Sequence, residues 1–278
     1  MEERKFVMSS ILVSSQSYAG GPEIARRIAE KLGYRFWSER QLIDEVAKSR
    51  AIVPTDLRKA LEHPPSLFGL SDVVRRTLVA HLQAVLAAHL LDDSLVFHVP
   101  YAHGLIPGVS HILRVRLVAG WASRVAMAEK IEEIPLKKAE KRVAHDDAAR
   151  NSVSELLFGF TDDDERYDMV VDLDGRQEDA VIEEVVGAMQ SHAYDAMTYS
   201  MQRLRDVELG FRVRSAVIDL EPSARVEADH GMVEIRCWAG PSRKAKLEAE
   251  VAKRVGGLSG VQGVEVRVFD DSLRRGWA

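Results

Sequence analysis

Apolar residues in this chain gather in short unbroken runs separated by longer stretches of three-to-four-residue periodicity. The runs Ile11-Leu12-Val13, Leu95-Val96-Phe97-His98-Val99, Ile112-Leu113-Arg114-Val115-Arg116-Leu117-Val118 and Tyr167-Asp168-Met169-Val170-Val171-Asp172 predict buried strands. Helical periodicity follows the first run to Leu32, then recurs over Glu39–Lys48 with Leu42, Ile43 and Val46 on one face and Ser38 as N-cap. Ala51–Gly69, with Pro54, Pro64 and Pro65, predicts a short helix and a loop. Ser71–Leu91 predicts a long amphipathic helix with Val74, Leu78, Leu82, Val85 and Leu86 inward. Trp121–Lys130, Lys137–Ser154 and Glu178–Tyr194 predict three more helices. Strands alternating with helices of this length give an α/β fold, a parallel sheet flanked by helices.

From Met197 the pattern changes. A helix to about Val217 precedes strands Ala224–Ala228 and Met232–Cys237, joined by Asp229-His230-Gly231, a triplet suited to a tight hairpin. Pro241 starts a helix to Val255, and Gly256, Gly257 and Gly260 lead to a last strand over Val264–Phe269. The order helix, strand, strand, helix, strand makes a small α/β sandwich. The expected division is residues 1–194, a helical linker over 195–208 and a second unit over 209–278.

Composition narrows the function classes. With 278 residues and 46% hydrophobic content the chain can bury a sizeable core. A net charge of −5 argues against coating nucleic acid, so no nucleic-acid partner is expected. The second unit carries twelve Lys and Arg against ten Asp and Glu, and the rest of the chain holds the negative excess. One cysteine, Cys237, leaves no intramolecular disulfide framework and suits a reducing compartment. The opening Met1–Lys5 is charged and the apolar stretch behind it is short and serine-rich, unlike a signal peptide or membrane span. A cytoplasmic location is the expectation.

The candidate chemistry lies at the first strand-turn-helix. Ser14-Ser15-Gln16-Ser17-Tyr18-Ala19-Gly20-Gly21 has the layout of a phosphate-binding loop, in which glycines let backbone N–H groups turn inward at a helix N-terminus. The strict pattern G-x-x-x-x-G-K-[ST] is absent: Pro22 and Glu23 follow the glycines. Pro22 brings no N–H and Glu23 brings negative charge, and both are also ordinary helix-starting residues. Arg26 and Arg27 lie about a turn further on. Arg142 and Arg150 share a charged amphipathic helix with Asp147, where they would clamp phosphates or form a solvated, ion-paired face. No Cys/His spacing points to a metal site. The run Asp162-Asp163-Asp164-Glu165 reads as a solvated turn, and His98 and His103 as ordinary loop and core histidines.

Over roughly residues 6–190 these motifs resemble the cytidylate kinase-like family, a branch of the P-loop nucleoside monophosphate kinases. Ser14…Gln16, Gly20-Gly21 and Glu23-Ile24-Ala25 look like that family's loop, usually written S-R-Q-Y-G-S-G-G-R-E-I. Ile106-Pro107-Gly108-Val109, the strand Leu113–Ala119, Arg124, Asp147-x-x-Arg150, Phe158-Gly159 and Tyr167–Val171 follow in register. The resemblance implies Arg124, Asp147 and Arg150 as catalytic residues. It implies Ser14, Ser15, Gln16, Gly20 and Gly21, supplemented by Arg26 and Arg142, as the phosphate site, with ATP and Mg²⁺ as cofactors if the protein is active. Residues 205–271 resemble a BON domain through Asp229–Ile235 and Gly260-Val261-x-Gly263-Val264, which implies a protein, small-ligand or membrane-surface partner. Cys237 stands where a BON domain usually has its second glycine.

The departures set the functional expectation. The family's arginines at the loop are Ser15 and Pro22 here, its G-R-G turn is replaced by His98–Gly104, and the tyrosine beyond its lid arginine is Val153. Phosphoryl transfer depends on cations that neutralise charge on the transferred oxygens. The expectation is therefore a nucleotide-binding or regulatory protein with a degenerate loop, coupled to a BON-like unit. The alternative is an active kinase transferring phosphate from ATP to CMP or dCMP.

Overall fold

The computed structural model describes residues 9–63, 70–92 and 94–270. The opening Met1–Lys5 and the prolines Pro64 and Pro65 lie outside the described residues.

Five strands, β1 (Ser10–Ser15), β2 (Arg35–Ser38), β3 (Leu95–His98), β4 (Ile112–Val118) and β5 (Met169–Asp172), form a sheet in the order β2-β3-β1-β4-β5 with every pairing parallel. All six residues of the central β1 are buried, as a strand covered on both faces requires. Alternate side chains feed two separate apolar layers. Leu12, Leu95, Phe97 and Ile112 face α2 (Glu39–Arg50), α3 (Pro54–Glu62) and α4 (Asp72–Asp92). Ile11, Val13, Val96, Leu113, Val115 and Leu117 face α1 (Gly21–Leu32) and α8 (Glu178–Met189). The short α5 (Ala102–Leu105) lies beyond the end of β3, and α6 (Trp121–Glu132) and α7 (Leu136–Phe158) pack on each other beyond β4.

Local chemistry sets several boundaries. Ser38 caps α2 as expected and Gln41 completes a capping box, an arrangement worth about 1 kcal/mol. Val74, expected inward, is 42% exposed. Position 75 takes the inward place on α4: Arg75 is buried and its Nη1 donates to the carbonyls of Ala60 at 2.5 Å and Lys59 at 3.1 Å. A cation there satisfies the open carbonyls in the last turn of α3, so the guanidinium displaces valine from the helix contact. The helix expected over Glu178–Tyr194 ends at Met189 and a separate 3₁₀ turn covers His192–Tyr194.

The second sheet joins β6 (Arg225–Asp229), β7 (Met232–Ala239) and β8 (Gly263–Asp270) in that order. β6 and β7 are antiparallel, and the two residues between them, His230 and Gly231, both have positive φ (46° and 83°), the conformation a two-residue hairpin turn demands. β7 and β8 are parallel, so α10 (Pro241–Val255) crosses over between them. Val213 and Val217 of α9 (Thr198–Val217) meet Leu247, Val251, Val233, Ile235 and Cys237 in its core. Cys237 is a free, buried thiol, and burial pushes its pKa up to about 11.

α9 belongs to both cores. Its Leu204 and Val207 pack with the sheet-and-α4 layer, its Ser215 Oγ shares a 2.6 Å hydrogen bond with His81 of α4, and Arg214 donates to Gln83 at 3.3 Å. The helix runs without a break through residue 208. Among the described residues no helix is long and apolar enough to cross a membrane.

Candidate active site

The turn between β1 and α1 opens onto a cleft of about 530 Å³ at the carboxyl ends of the strands, the place where open α/β sheets receive ligands. Its loop side is Ser15–Pro22, and its other sides come from Glu39, Leu61–His63, His98, Pro100, Tyr101, Ile131 and α7. Gly20 takes a left-handed φ of 74° at the N-cap of α1. Gly21 is demanded by close approach: a β-carbon there would lie 2.2 Å from Ser15 Oγ and 2.9 Å from His98 Nε2. Gln16 latches the loop to the sheet, its N–H donating to the Leu117 carbonyl and its Oε1 accepting from the Ala119 N–H, each at 3.0 Å.

Arg150 sits beneath this loop. Its Nη1 donates to the Ser15 carbonyl at 2.5 Å, its Nη2 to Ser14 Oγ at 3.1 Å and its Nε to Asp162 Oδ2 at 2.9 Å, with the guanidinium 5.6 Å from the centre of the Tyr101 ring. Burial disfavours its charge, but Asp162 with Tyr101 and Tyr167 outweighs burial and holds the Arg150 pKa above its usual value.

Asp162 corrects the expectation of a solvated acidic turn. It is 5% exposed and, besides Arg150, meets Arg116 Nη1 at 2.7 Å and accepts from Tyr167 Oη at 2.7 Å. His103 Nδ1 lies 2.8 Å from that hydroxyl. Burial would raise the Asp162 carboxyl, yet the two arginines hold it below the ordinary range. Asp164 pairs with Arg116 at 2.7 Å, so the first acid of the run anchors the site and the others remain at its rim. His103 is a core histidine as expected, driven down to about 4 by burial. His98 lines the cleft, its Nε2 sharing a 2.9 Å hydrogen bond with Ser15 Oγ; burial and then Arg150 drive it to about 4, so it is neutral at pH 7.

The remaining expected site residues divide. Arg142 lines the cleft with half of its side chain exposed, and its Nε donates to Glu132 at 3.2 Å and Tyr18 Oη at 3.3 Å while Asp146 lies at 3.7 Å. Arg124 and Asp147 bind each other: two parallel hydrogen bonds of 2.8 Å tie α6 to α7, and neither residue lines the cleft. Arg26 is exposed and paired with Glu23 and Glu30 along α1, and Arg27 is paired with Glu178 and Asp179 of α8. The structure thus brings Ser14, Ser15, Gln16, Gly20, Gly21, Arg142 and Arg150 together and leaves Arg26, Arg124 and Asp147 outside.

Two residues that sequence reading passed over also face the cleft. Glu39 follows the N-cap Ser38, where a carboxylate is an ordinary helix-starting residue, and Glu62 ends α3. Burial, then repulsion from Glu62, lifts Glu39 to about 7 against the pull of Arg150 and Arg58. Its Oε1 is buried without a hydrogen-bond partner. Only the fold, by bringing the ends of α2 and α3 to the loop, reveals them.

Comparison with known proteins places this geometry. No curated protein matches the chain. Solved structures similar to it include an uncharacterized protein from Eubacterium ventriosum ATCC 27560, at 14% identity and a TM-score of 0.49, covering 66% of this chain and 99% of that one. A shikimate kinase from Acinetobacter baumannii, in complex with shikimate, aligns at 14% identity over 65% of this chain and 92% of its own, with a TM-score of 0.42. A gluconokinase from Sinorhizobium meliloti 1021 aligns at 18% identity over 67% and 94%, with a TM-score of 0.41. Residues 10–175 match the model of the cytidylate kinase-like family, a span that holds the five-stranded sheet and every residue of the cleft. With more than half of its length in that match, the chain belongs to the cytidylate kinase-like family.

Proposed function

We propose that this protein binds a nucleotide in the cleft without efficient phosphoryl transfer, and that the nucleotide-binding unit is coupled to a BON-like C-terminal unit. The observation that carries the reading is the state of the cleft's cations. The loop supplies no lysine, and the two arginines that line the cleft are engaged by the protein's own groups, Arg150 by Asp162, Ser14 and Ser15 and Arg142 by Glu132 and Asp146. A phosphate group can still be met by the Gly20-Gly21 turn at the helix N-terminus and by the guanidinium N–H groups of Arg150 not used in those three bonds. Among the described residues lining the cleft, what is missing is a lysine or arginine free to follow charge onto the transferred oxygens.

Membership of the family suggests ATP as the nucleotide, with Mg²⁺ if the protein is active. A cleft of about 530 Å³ beside the Gly20-Gly21 turn supports that reading. At the position where a P-loop normally offers a hydroxyl to Mg²⁺ stands Glu23, paired with Arg26, which leaves Ser14, Ser15 or Ser17 to serve.

The position of Arg150 favours one second reading, an active kinase for CMP or dCMP in which Arg150 replaces the loop cation from below. Calorimetric or thermal-shift titration with ATP–Mg²⁺ and CMP, followed by a coupled assay, separates the two. Kinases turn over at about 1–100 s⁻¹, and removal of one transition-state donor costs about 10²–10³-fold. The expected result is saturable ATP binding with turnover below about 0.1 s⁻¹. Faster turnover that is lost in Arg150→Ala, in a variant that still melts cooperatively, establishes the kinase, and no effect of millimolar nucleotide on melting removes both readings. For the C-terminal unit, the order of α9, β6, β7, α10 and β8 supports the BON-like reading.

A further inference from the structure

Part of the cleft lining outside the phosphate loop is acidic. Glu39 comes from the start of α2, Glu62 from the end of α3 and Asp146 from α7. Asp146 is paired with Arg142 and Glu62 lies 3.9 Å from Arg58, but Glu39 Oε1 is buried with no partner. The other charged or titratable groups lining the cleft are Tyr18, Tyr101, Arg150, His63, His98 and His145. An unsatisfied carboxylate beside a second one is costly, and a cationic donor relieves both the missing hydrogen bond and the repulsion. The phosphate of a nucleoside monophosphate does the reverse, adding negative charge to three carboxylates.

The surroundings of these carboxylates bear on the kind of cation. Beside Glu39 and Glu62 the cleft is lined by Leu61, Pro100, Tyr101 and Ile131, an apolar surface that suits a carbon skeleton.

We propose that Glu39 and Glu62 form a subsite for an organic cation, a protonated amine on a short carbon chain, held in the cleft outside the phosphate loop. The placement beside a bound phosphate rests on the nucleotide reading above; the amine subsite does not need nucleotide to be occupied. The ammonium group donates to the carboxylates of Glu39 and Glu62, and its chain lies along Leu61 and Tyr101.

The test uses the full chain without nucleotide, titrated calorimetrically and by NMR with putrescine, with 1,4-butanediol as its uncharged counterpart, and with MgCl₂ and CMP. Putrescine is expected to bind saturably at pH 8 and about tenfold more weakly at pH 6, because a carboxyl titrating at about 7 is mostly protonated at the lower pH. Glu39→Gln is expected to remove both the binding and its pH dependence. Equal binding of butanediol, unchanged putrescine binding in Glu39→Gln, or Glu39-dependent saturation by MgCl₂ or CMP in place of putrescine each overturns the proposal. If Glu39→Gln does not fold, carboxyl ¹³C NMR of the unmodified protein decides: saturating putrescine lowers the Glu39 midpoint by at least about one unit, and an unmoved midpoint overturns the assignment. Putrescine binding that survives while ATP has no effect on melting removes the nucleotide reading alone.

Discussion

At the scale of single residues, the site hangs on Asp162. One buried carboxylate holds Arg150 under the phosphate loop and Arg116 on β4, and it accepts the Tyr167 hydroxyl. Removing the charge from such a network leaves Arg150, largely buried, without an anionic partner and Arg116 with Asp164 alone; the loss is about 3–5 kcal/mol where partners are fully buried. Asp162→Asn is therefore expected to lower stability by several kcal/mol in urea unfolding, against less than about 0.5 kcal/mol for Glu165→Gln in the same acidic run. Sequence reading treated those four acids alike because nothing local distinguishes them. Asp162 differs through Arg116 of β4, Arg150 of α7 and His103 of α5, which converge on it together with the nearby Tyr167. Glu39 was hidden for the same reason: a glutamate after a serine N-cap looks complete as a helix start, and its buried, unpartnered oxygen exists only where α2 meets the cleft.

At the scale of elements, strand and helix identities were legible because periodicity records burial directly. The unbroken apolar run of β1 required a strand covered on both faces, and its residues divide between the two layers flanking the sheet. What periodicity could not tell was the direction of a long polar side chain, and Arg75 took the inward position expected for Val74 because the carbonyls of α3 needed a donor. The Arg124–Asp147 pair belongs to this scale as well. The family resemblance makes it part of the chemistry, and in the structure it ties α6 to α7, the helix that carries Arg142 and Arg150 to the cleft. Arg124→Ala is expected to cost about 1–2 kcal/mol, less than a fully buried pair because Asp147 is about one-third exposed. Hydrogen exchange is expected to speed up in α6 and the first half of α7, with β1 unchanged. Uniform acceleration across the sheet would show that the pair supports the whole fold instead.

At the scale of the whole molecule, α9 joins the two cores, and three buried or partly buried histidines on the side of the five-stranded sheet couple stability to pH. His81, which bonds Ser215 of α9, the cleft-lining His98 and the core His103 are each held at about 4, chiefly by burial, against an ordinary value near 6.5. A histidine depressed in the folded state gives stability that is complete above its unfolded pKa and lost as pH falls towards the folded value. Glu39 acts oppositely: lifted to about 7, it favours the folded state below its unfolded pKa and loses that contribution as pH rises. Stability is therefore expected to fall by a few kcal/mol between about pH 6.5 and pH 4, measured by denaturant unfolding across that range. His81→Asn is expected to flatten part of the slope without changing nucleotide binding, and an unchanged slope in that variant would place the acid sensitivity elsewhere.

The sequence by itself determined the two-unit order of elements, the parallel sheet, the hairpin at His230-Gly231 and the ancestry of the Ser14–Gly21 loop. Each is encoded by neighbours a few residues apart, through burial period, turn conformation or the helix start. Tertiary structure alone decided which charges meet: Arg150 beneath the loop, Asp162 behind it, Glu39 and Glu62 in the same cleft, and Arg26 out on the surface. Electrostatic partners are set by distances and burial between segments far apart in the chain, and those exist only once the sheet has brought its carboxyl ends and their helices to one cleft.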